Sequence, residues 1–218
     1  MMTTKRPAPY IWVTWLSRYL AGEMACTWAL WFKAHYTKFD KVVESFDIGA
    51  WNATHAELLR SAAAARLAEG YAVRLEDQNA FHARSASGTV VAGRPDLIAL
   101  NDEMALIEEC KTGVPKVSDI LQVQIYLALF PFIRPAYRGL RAVGRIRYRH
   151  QVVDIPSDSI DETFRGRLRE AVAMLAGDVP PIRVPSPRIC AWCDIGPMDC
   201  PDRSERSAVA VITHHDLF

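Results

Sequence analysis

The apolar residues in the middle of the chain fall into short runs separated by polar turns, a pattern typical of β-strands. These runs cover residues 71–83, 89–100 and 104–112, with a turn expected at 85–88. A further run predicts that residues 144–155 return to the same sheet, and a short strand is expected near the C-terminus at 208–212.

Helical periodicity occurs on both sides of the predicted strands. Residues 49–69 form an alanine-rich segment that stops at Gly70, a residue that favours helix ends. Apolar residues four positions apart predict a second helix over 115–130. A third is predicted over 159–176, with a buried side formed by Phe164, Leu168, Val172 and Leu175. The expected fold class is therefore α/β, a mixed β-sheet flanked by helices, in one domain over residues 1–218.

Composition and charge narrow the class of protein. The chain has 218 residues, of which 50% are apolar, and a net charge of +1. These values fit a globular enzyme and exclude both a disordered chain and a general attraction to nucleic acid. Arg18 and Glu23 interrupt the apolar stretch at 11–32, so no membrane-spanning helix is expected. With no visible secretory signal, we expect a cytoplasmic protein, either nucleoid-associated or phage-encoded.

Basic residues are concentrated in one segment despite the low net charge. No acidic residue separates Arg141, Arg145, Arg147 and Arg149. Such a run can hold phosphates by releasing the counterions of DNA, which makes these arginines DNA-binding candidates. A solvated strand edge explains the same run equally well.

A predicted hairpin brings two carboxylates and a lysine together. Glu109 follows Asp96 by thirteen residues, and a polar turn at 101–103 lies between the two predicted strands. The hairpin would therefore return Glu109 to the side of Asp96. The period of two places Glu109 and Lys111 on one face of the second strand and Cys110 on the other.

These residue types suit metal-dependent hydrolysis of a phosphodiester bond. Two carboxylates about 4 Å apart repel by about 4 kcal/mol at an effective dielectric constant of about 20. A divalent cation that prefers oxygen ligands, Mg²⁺ or Mn²⁺, removes this repulsion and lowers the pKa of a bound water. Lys111 can orient the water or stabilise the transition state. A surface hairpin with solvated charges is the alternative that the pattern leaves open.

The cysteines form a second group of potential ligands. Cys190 and Cys193 make a C-x-x-C pair, Cys200 follows after a gap of six residues, and Cys26 lies near the N-terminus. Four soft ligands are the number needed for a tetrahedral zinc ion or an iron–sulfur cluster, with disulfides as the alternative. The proline-rich residues 177–187 are expected to be extended and to lead to the C-terminal cysteines.

The order of these motifs resembles the PD-(D/E)XK nucleases of the RecB type. The resemblance implies that His55, Asp96 and Glu109 hold Mg²⁺ or Mn²⁺, with the Cys110 carbonyl as a further ligand, and that Lys111 is the catalytic lysine. It also implies that Gln122 and Tyr126 contact DNA near the cleaved phosphate. Glu76 falls where the family often has an additional acidic residue, on the strand before the hairpin.

The cysteine layout resembles that of iron–sulfur nucleases, which include the CRISPR-associated adaptation exonuclease and the nuclease domain of the AddB recombination subunit. The resemblance implies a 4Fe–4S cluster, with zinc as the alternative, on Cys26, Cys190, Cys193 and Cys200. The gap before Cys200 is one residue longer than is usual in that family. The implied fold is restriction-endonuclease-like, with a catalytic core at 49–155 and a cluster that joins segments 17–36 and 188–201.

The expected function is a Mg²⁺- or Mn²⁺-dependent deoxyribonuclease. The resemblance implies a single-stranded DNA exonuclease in CRISPR adaptation, recombination and repair, or phage DNA processing. The expected partners are DNA that is single-stranded or has a single-stranded end, other proteins of a DNA-processing complex, and no membrane. Two alternatives stay open: a non-catalytic DNA-binding or scaffold subunit, and a zinc-stabilised interaction module in which the hairpin acids are incidental.

Overall fold

The structure, a computed structural model, describes residues 2–42 and 52–204 in full and the backbone of residues 48–51. The described chain is a mixed α/β fold in which three sheets are flanked by helices. The helices are α1 (Val13–Leu20), α2 (Thr27–His35), α3 (Ile48–Ala68), α4 (Val117–Ile133), α5 (Glu162–Ala176) and α6 (Pro187–Cys190). None of these described helices is both long and apolar enough to cross a membrane.

The strands are short except in the centre of the fold. They are β1 (Thr4–Lys5), β2 (Tyr10–Trp12), β3 (Tyr36–Thr37), β4 (Ala72–Leu75), β5 (Phe81–Arg84), β6 (Val90–Gly93), β7 (Leu97–Leu100), β8 (Met104–Lys111), β9 (Arg141–Tyr148) and β10 (Val152–Ile155).

The largest sheet has the strand order β10-β9-β8-β7-β4. The predicted hairpin is confirmed: β7 and β8 pair antiparallel, with Leu97 opposite Glu108. The next pair, β8 and β9, is parallel, which requires a crossover, and α4 supplies it. Helices pack against both faces of β8, so residues 105–110 are all buried. The C-terminal end of β8 is therefore enclosed by helices on both faces and by neighbouring strands on both edges.

Two predictions of a single continuous strand are wrong, because each segment contains two strands that belong to different sheets. The segment 71–83 separates into β4 and β5 at a 3-10 turn, Glu76–Asn79, and 89–100 separates into β6 and β7 at residues 94–96. Both breaks are joined by Asn79, whose Nδ2 donates to the carbonyl oxygens of Arg74 (2.9 Å) and Pro95 (3.1 Å). The strands β2, β6 and β5 form a second sheet in that order, and β1 pairs with β3.

The predicted helices are present with shifted ends. Gly70 follows α3 with a φ of +85°, which explains the stop. The end of α4 is Ile133 rather than residue 130, and Phe130 in its last turn stacks on Tyr137 (4.6 Å between ring centroids). The segment 159–176 is helical only from Glu162, because the Asp161 side chain caps α5. The segment 144–155 contains the end of β9 and all of β10, and the strand predicted at 208–212 lies outside the described residues.

The core lies on both sides of the large sheet. One cluster joins the sheet to α1, α2, α4 and α5, and another packs β7 and β8 under α3. Cys110 belongs to the α3 cluster with Leu59 and Ala62. Its side chain therefore lies on the face opposite Glu109 and Lys111, as the period of two predicted.

The C-terminal segment returns to the N-terminal part of the fold. Gly196 N donates to Asp40 O (2.8 Å), and Val42 N donates to Asp194 O (3.0 Å). The Asp194 side chain also pairs with Lys33 (3.1 Å). These contacts hold residues 194–196 beside the last turn of α2 and the residues that follow it, and Cys190, Cys193 and Cys200 share a cavity with Cys26 at the start of α2.

Candidate functional site

An open cleft with a volume of ≈ 510 Å³ lies at the end of β8. The residues to which the family resemblance assigned a role in cleavage all line it: His55, Glu76, Asp96, Glu109, Cys110, Lys111, Gln122 and Tyr126. They come from α3, β8, α4 and the breaks after β4 and β6. The fold therefore brings together residues that are up to 71 positions apart in the chain (126 − 55).

The hairpin register places Asp96 beside Glu109. Asp96 N donates to Glu109 Oε1 (3.2 Å), and Cys110 N donates to Asp96 Oδ2 (2.8 Å). Burial raises the pKa of Glu109 to about 7, and the charge of Asp96 adds to this rise. Burial also raises the pKa of Asp96 to about 6, against the lowering effect of the Cys110 N–H. The pair therefore retains a proton close to neutral pH that a bound cation would displace.

Lys111 is held between the carboxylate pair and α4. Its Nζ lies 3.1 Å from Glu109 Oε2 and donates to Gln122 Oε1 (2.8 Å). Burial lowers the pKa of Lys111, but the carboxylates of Glu109 and Asp96 outweigh burial and leave that pKa above its ordinary value. Lys111 is therefore an ammonium ion with a fixed position in the cleft.

Gln122 connects the lysine to the rest of the site. Its Nε2 donates to Glu109 Oε2 (2.9 Å) and to the Tyr126 hydroxyl (3.3 Å). Because its Oε1 accepts from Lys111, all of its contacts agree with a single orientation of the amide. Burial, followed by the charge of Glu109, raises the pKa of Tyr126 well above its ordinary value, so Tyr126 is a neutral phenol.

His55 and Glu76 complete the acidic side of the cleft. His55 Nε2 lies 3.7 Å from Asp96 Oδ1 and 4.0 Å from Glu76 Oε1. Glu76 was expected on a strand, but it is the first residue of the 3-10 turn after β4, with a φ of +39°. Residues other than glycine seldom adopt this left-handed conformation, at a cost of about 1–3 kcal/mol, and such positions cluster at functional sites. The turn directs the Glu76 side chain into the cleft.

The carboxylate oxygens and the histidine nitrogen in the cleft are types of ligand atom that bind divalent cations. In an octahedral site with bonds of about 2.1 Å, neighbouring ligand atoms lie about 3 Å apart and opposite ones about 4 Å apart. The distances from His55 Nε2 to Asp96 Oδ1 (3.7 Å) and Glu76 Oε1 (4.0 Å) exceed the distance between neighbouring ligands, so these side chains would have to move closer together to bind one ion. Both oxygens of Glu109 accept hydrogen bonds from protein donors. In the described part of the chain, no group of three or more His, Cys, Asp or Glu side chains forms a ready-made metal site.

The four predicted ligand cysteines line one small cavity with Trp28 and Arg183: Cys26, Cys190, Cys193 and Cys200. All four are free thiols. Burial raises the pKa of Cys200, and its three cysteine neighbours add to this rise. The void has a volume of ≈ 20 Å³, enough for one water molecule or small ion.

The arginine run lies on and just after β9, next to the strand that carries Glu109 and Lys111, but outside the main cleft. In the described residues, none of Arg141, Arg145, Arg147 and Arg149 lines the main cleft. Arg145 pairs with Asp154 (2.6 Å) and Arg147 with the fully buried Glu108 (2.6 Å). Arg149 lines a separate pocket beside α3, with Thr112. The structure therefore gives Arg147 a structural contact, and the DNA-binding role of the run stays a prediction.

Sequence reasoning missed three residues that shape the cleft. Asn79 joins the two strand breaks and so fixes the position of Asp96, and the polar run at 76–79 is a signal that could have revealed the break. Arg94, paired with Asp77 (2.7 Å), lines the cleft. Lys116 lines it as well, immediately before α4. These two cations provide positive charge at the cleft that the arginine run does not.

Comparisons with known proteins leave the family open. No family model matches the chain, and no curated protein does. The chain is similar to the crystal structure of SSO0001, with a TM-score of 0.44 and 17% sequence identity over 86% of this chain and 84% of that one. This similarity is too distant to assign a family or a function.

Proposed function

We propose that this protein is a Mg²⁺- or Mn²⁺-dependent DNA nuclease of the PD-(D/E)XK type, with a restriction-endonuclease-like fold, that cleaves single-stranded DNA from an end. The observation that carries the proposal is the Lys111 ammonium, held by Glu109 and Gln122 beside the buried Asp96 in an open cleft. A surface hairpin with solvated charges would not bury Glu109 to 1% exposure. Burial of a carboxylate pair is costly, and such pairs are concentrated at functional sites.

The residues proposed to hold the metal ion are Asp96, Glu109, His55 and the Cys110 carbonyl, with Glu76 as an additional acidic ligand. When bound, the ion would lower the pKa of a water molecule and neutralise charge on the phosphate. Asp96 Oδ1 and His55 Nε2 already lie on the same side of the cleft. Glu109 would release the proton that its raised pKa retains, and its contact with Lys111 would compensate the remaining charge.

The other residues act on the DNA and on the attacking water. Lys111 lines the cleft and would orient the water or stabilise negative charge on the phosphate as a point charge. Gln122 keeps Lys111 in that position and, with Tyr126, would contact the strand near the cleaved bond. Arg94 and Lys116 would bind the flanking phosphates.

We also propose a metal centre on Cys26, Cys190, Cys193 and Cys200. The family resemblance favours a 4Fe–4S cluster. A single zinc ion is the alternative. In both cases the ligands join the start of α2 to the C-terminal segment, so the centre would have a structural role.

Cleavage of end-labelled single-stranded DNA with Mn²⁺ tests the nuclease proposal. The parent protein, purified anaerobically, is compared with Lys111→Ala and with Lys5→Ala, a control that removes an exposed lysine of β1 outside the cleft. We expect cleavage by the parent and the control and a loss of at least about 100-fold in Lys111→Ala. Equal cleavage by all three proteins would overturn the assignment, and the position of the label in the products gives the polarity.

A non-catalytic DNA-binding subunit is the second candidate. Its support is that protein donors already satisfy both oxygens of Glu109. In that case, the intact parent protein would bind DNA and not cleave it, with or without Mn²⁺. Asp96→Ala would then leave DNA affinity unchanged or raised.

A further inference from the structure

The outer face of the sheet β5-β6-β2 carries aromatic and basic side chains. Ile11 is fully buried beneath this sheet, so its neighbours Tyr10 and Trp12 point to the opposite face. The register aligns Trp12 with Ala92 and His82, and the adjacent row aligns Tyr10 with Val90 and Arg84. The outer face therefore presents aromatic and basic side chains, which lie over Val90 and Ala92.

Contacts within this surface fix the rings. The Tyr10 ring meets Trp12 edge to face, with centroids 5.7 Å apart, and lies 5.8 Å from the His82 ring. The Tyr10 hydroxyl is 3.0 Å from His82 Nε2, and the Arg6 guanidinium lies 5.2 Å from the centre of the Tyr10 ring. Because these rings are already held in place, stacking of a ligand on them would cost little additional conformational entropy of the protein side chains.

The surface is continuous with the catalytic cleft. Trp12 and Thr14 line the same cleft as Asp96, Lys111 and Arg94. The connection follows from the pairing of β2 with β6, because Trp12 is opposite Ala92, two residues before Arg94. A strand whose phosphate lies at Lys111 can therefore reach Trp12 within the same cleft.

The chemistry of this surface fits unpaired bases. Every base presents a flat aromatic face, and stacking on an aromatic side chain is independent of sequence. The arginines around the rings, Arg6, Arg84 and Arg94, are suited to bind the phosphates of the same strand. In a duplex the base faces are already stacked on each other, so a duplex would gain nothing from the rings.

A purely structural role does not account for the exposure of Trp12. Val90 and Ala92 are 6% and 0% exposed, so the rings do cover them. Any aliphatic side chain would provide that cover, however, and the Trp12 side chain leaves 37% of its surface open at the edge of a polar cleft. An exposed aromatic face in that position is available to a ligand.

We propose that Trp12, held by Tyr10 and His82, is a stacking platform for bases of single-stranded DNA beside the cleaved phosphate. This inference rests on the proposed function and adds to it the residues that select an unpaired strand. Trp12 is here a substrate-binding residue, and Tyr10 and His82 are positioning residues.

The test measures binding separately from cleavage. All binding experiments use proteins that carry Lys111→Ala, and fluorescence anisotropy compares three labelled ligands: a thymidine oligonucleotide, the same backbone with abasic sites, and a duplex. Trp12→Leu keeps an aliphatic cover over Ala92 but has no aromatic face, whereas Trp12→Phe keeps one. Phe132→Ala is the matched control, because it removes a 67% exposed aromatic side chain from α4. Thermal melting verifies that every variant is folded.

We expect Trp12→Leu to weaken binding of the thymidine oligonucleotide by about 5- to 150-fold. Trp12→Phe should retain most of the affinity, Phe132→Ala should retain all of it, and the abasic and duplex ligands should be unaffected. Folded Trp12→Leu protein that binds the oligonucleotide as tightly as its background would overturn the inference. Equal binding of the thymidine and abasic ligands by the background protein would overturn it as well.

Cleavage by the protein with Lys111 intact separates this inference from the nuclease proposal. If the protein cleaves DNA but the Trp12 variants bind it normally, the nuclease proposal is supported and the stacking platform is overturned. If binding shows a Trp12-dependent preference for bases but the protein does not cleave DNA, the stacking platform is supported and the nuclease proposal is overturned.

Discussion

Among the individual residues, Asp96 and Glu109 determine how the cleft responds to pH. Burial raises the pKa of Asp96 from 3.8 to about 6 and that of Glu109 from 4.5 to about 7. The native protein without metal therefore binds more protons than the unfolded chain between about pH 4 and pH 7. The stability that these groups contribute is complete below pH 4 and is lost as the pH rises through 6 and 7.

We predict that the metal-free protein is less stable at pH 8 than at pH 5 because of this pair. The shift of Glu109 alone corresponds to about 3 kcal/mol in the free energy of unfolding. Glu109→Gln removes the titrating group, so the variant should lose less stability over the same interval. Urea denaturation in EDTA at both pH values measures the difference, and parallel pH profiles for the two proteins would contradict the prediction. Added Mn²⁺ should stabilise the parent more at pH 8 than at pH 5.

At the scale of secondary structure, a buried ion cluster joins the elements that carry the candidate ligands. Glu108 of β8 is fully buried and lies 2.6 Å from Arg147 of β9 and 3.9 Å from Arg66 of α3. Arg66, itself 8% exposed at its side chain, also pairs with Glu69 (2.8 Å). This cluster lies on the face of β8 opposite Glu109. Arg147 therefore pairs directly with the strand that carries Glu109, and Arg66 brings α3, which carries His55, close to the same carboxylate without a hydrogen bond.

We predict that Arg147→Ala lowers the stability of the fold and has no direct effect on DNA binding. Removal of one partner leaves the Glu108 carboxylate buried without its closest cation, which costs about 3–5 kcal/mol. Arg145→Ala is the matched control, because its pair with the exposed Asp154 contributes less than about 1 kcal/mol. Chemical denaturation measures both variants. The double variant Glu108→Leu/Arg147→Leu should recover much of the lost stability. An Arg147→Ala protein with parental stability and weakened DNA binding would restore the phosphate-binding interpretation.

The sequence predicts the elements that depend on local pattern and misses those that depend on distant contacts. The β7–β8 hairpin and α3 were predicted because their apolar periods and the stop at Gly70 are local signals. The division of residues 71–83 between two sheets was missed because Asn79 stabilises it through the Pro95 carbonyl, sixteen positions away. The position of Glu76 in a turn depends on the same contact. The pairing of Arg147 with Glu108 was also missed, because it requires β8 and β9 to be neighbours.

At the scale of the whole molecule, the cysteine cavity and the cleft are connected through the loop between α1 and α2. Glu23 Oε1 in this loop accepts a hydrogen bond from Ser118 N (3.2 Å), in the first turn of α4. Cys26 is three residues further along the same loop, and Gln122 and Tyr126 are on α4. A centre that holds Cys26 would therefore also hold the loop that supports α4.

We predict that the four cysteines hold a metal centre that stabilises the fold. Protein purified anaerobically should absorb at about 400 nm if it holds an iron–sulfur cluster and should be colourless with stoichiometric zinc otherwise. Cys26→Ser should lose the metal, whereas Cys110→Ala should keep it, because Cys110 belongs to the core under α3.

Because Cys26 and Cys190 are 164 positions apart (190 − 26), the loss of this cross-link should destabilise the protein by up to about 5 kcal/mol. Glu23→Gln should keep the metal and its spectrum, and it should weaken cleavage less than Cys26→Ser does, because an amide oxygen can still accept from Ser118 N. A Cys26→Ser protein with parental metal content and stability would show that these thiols do not form a joint site.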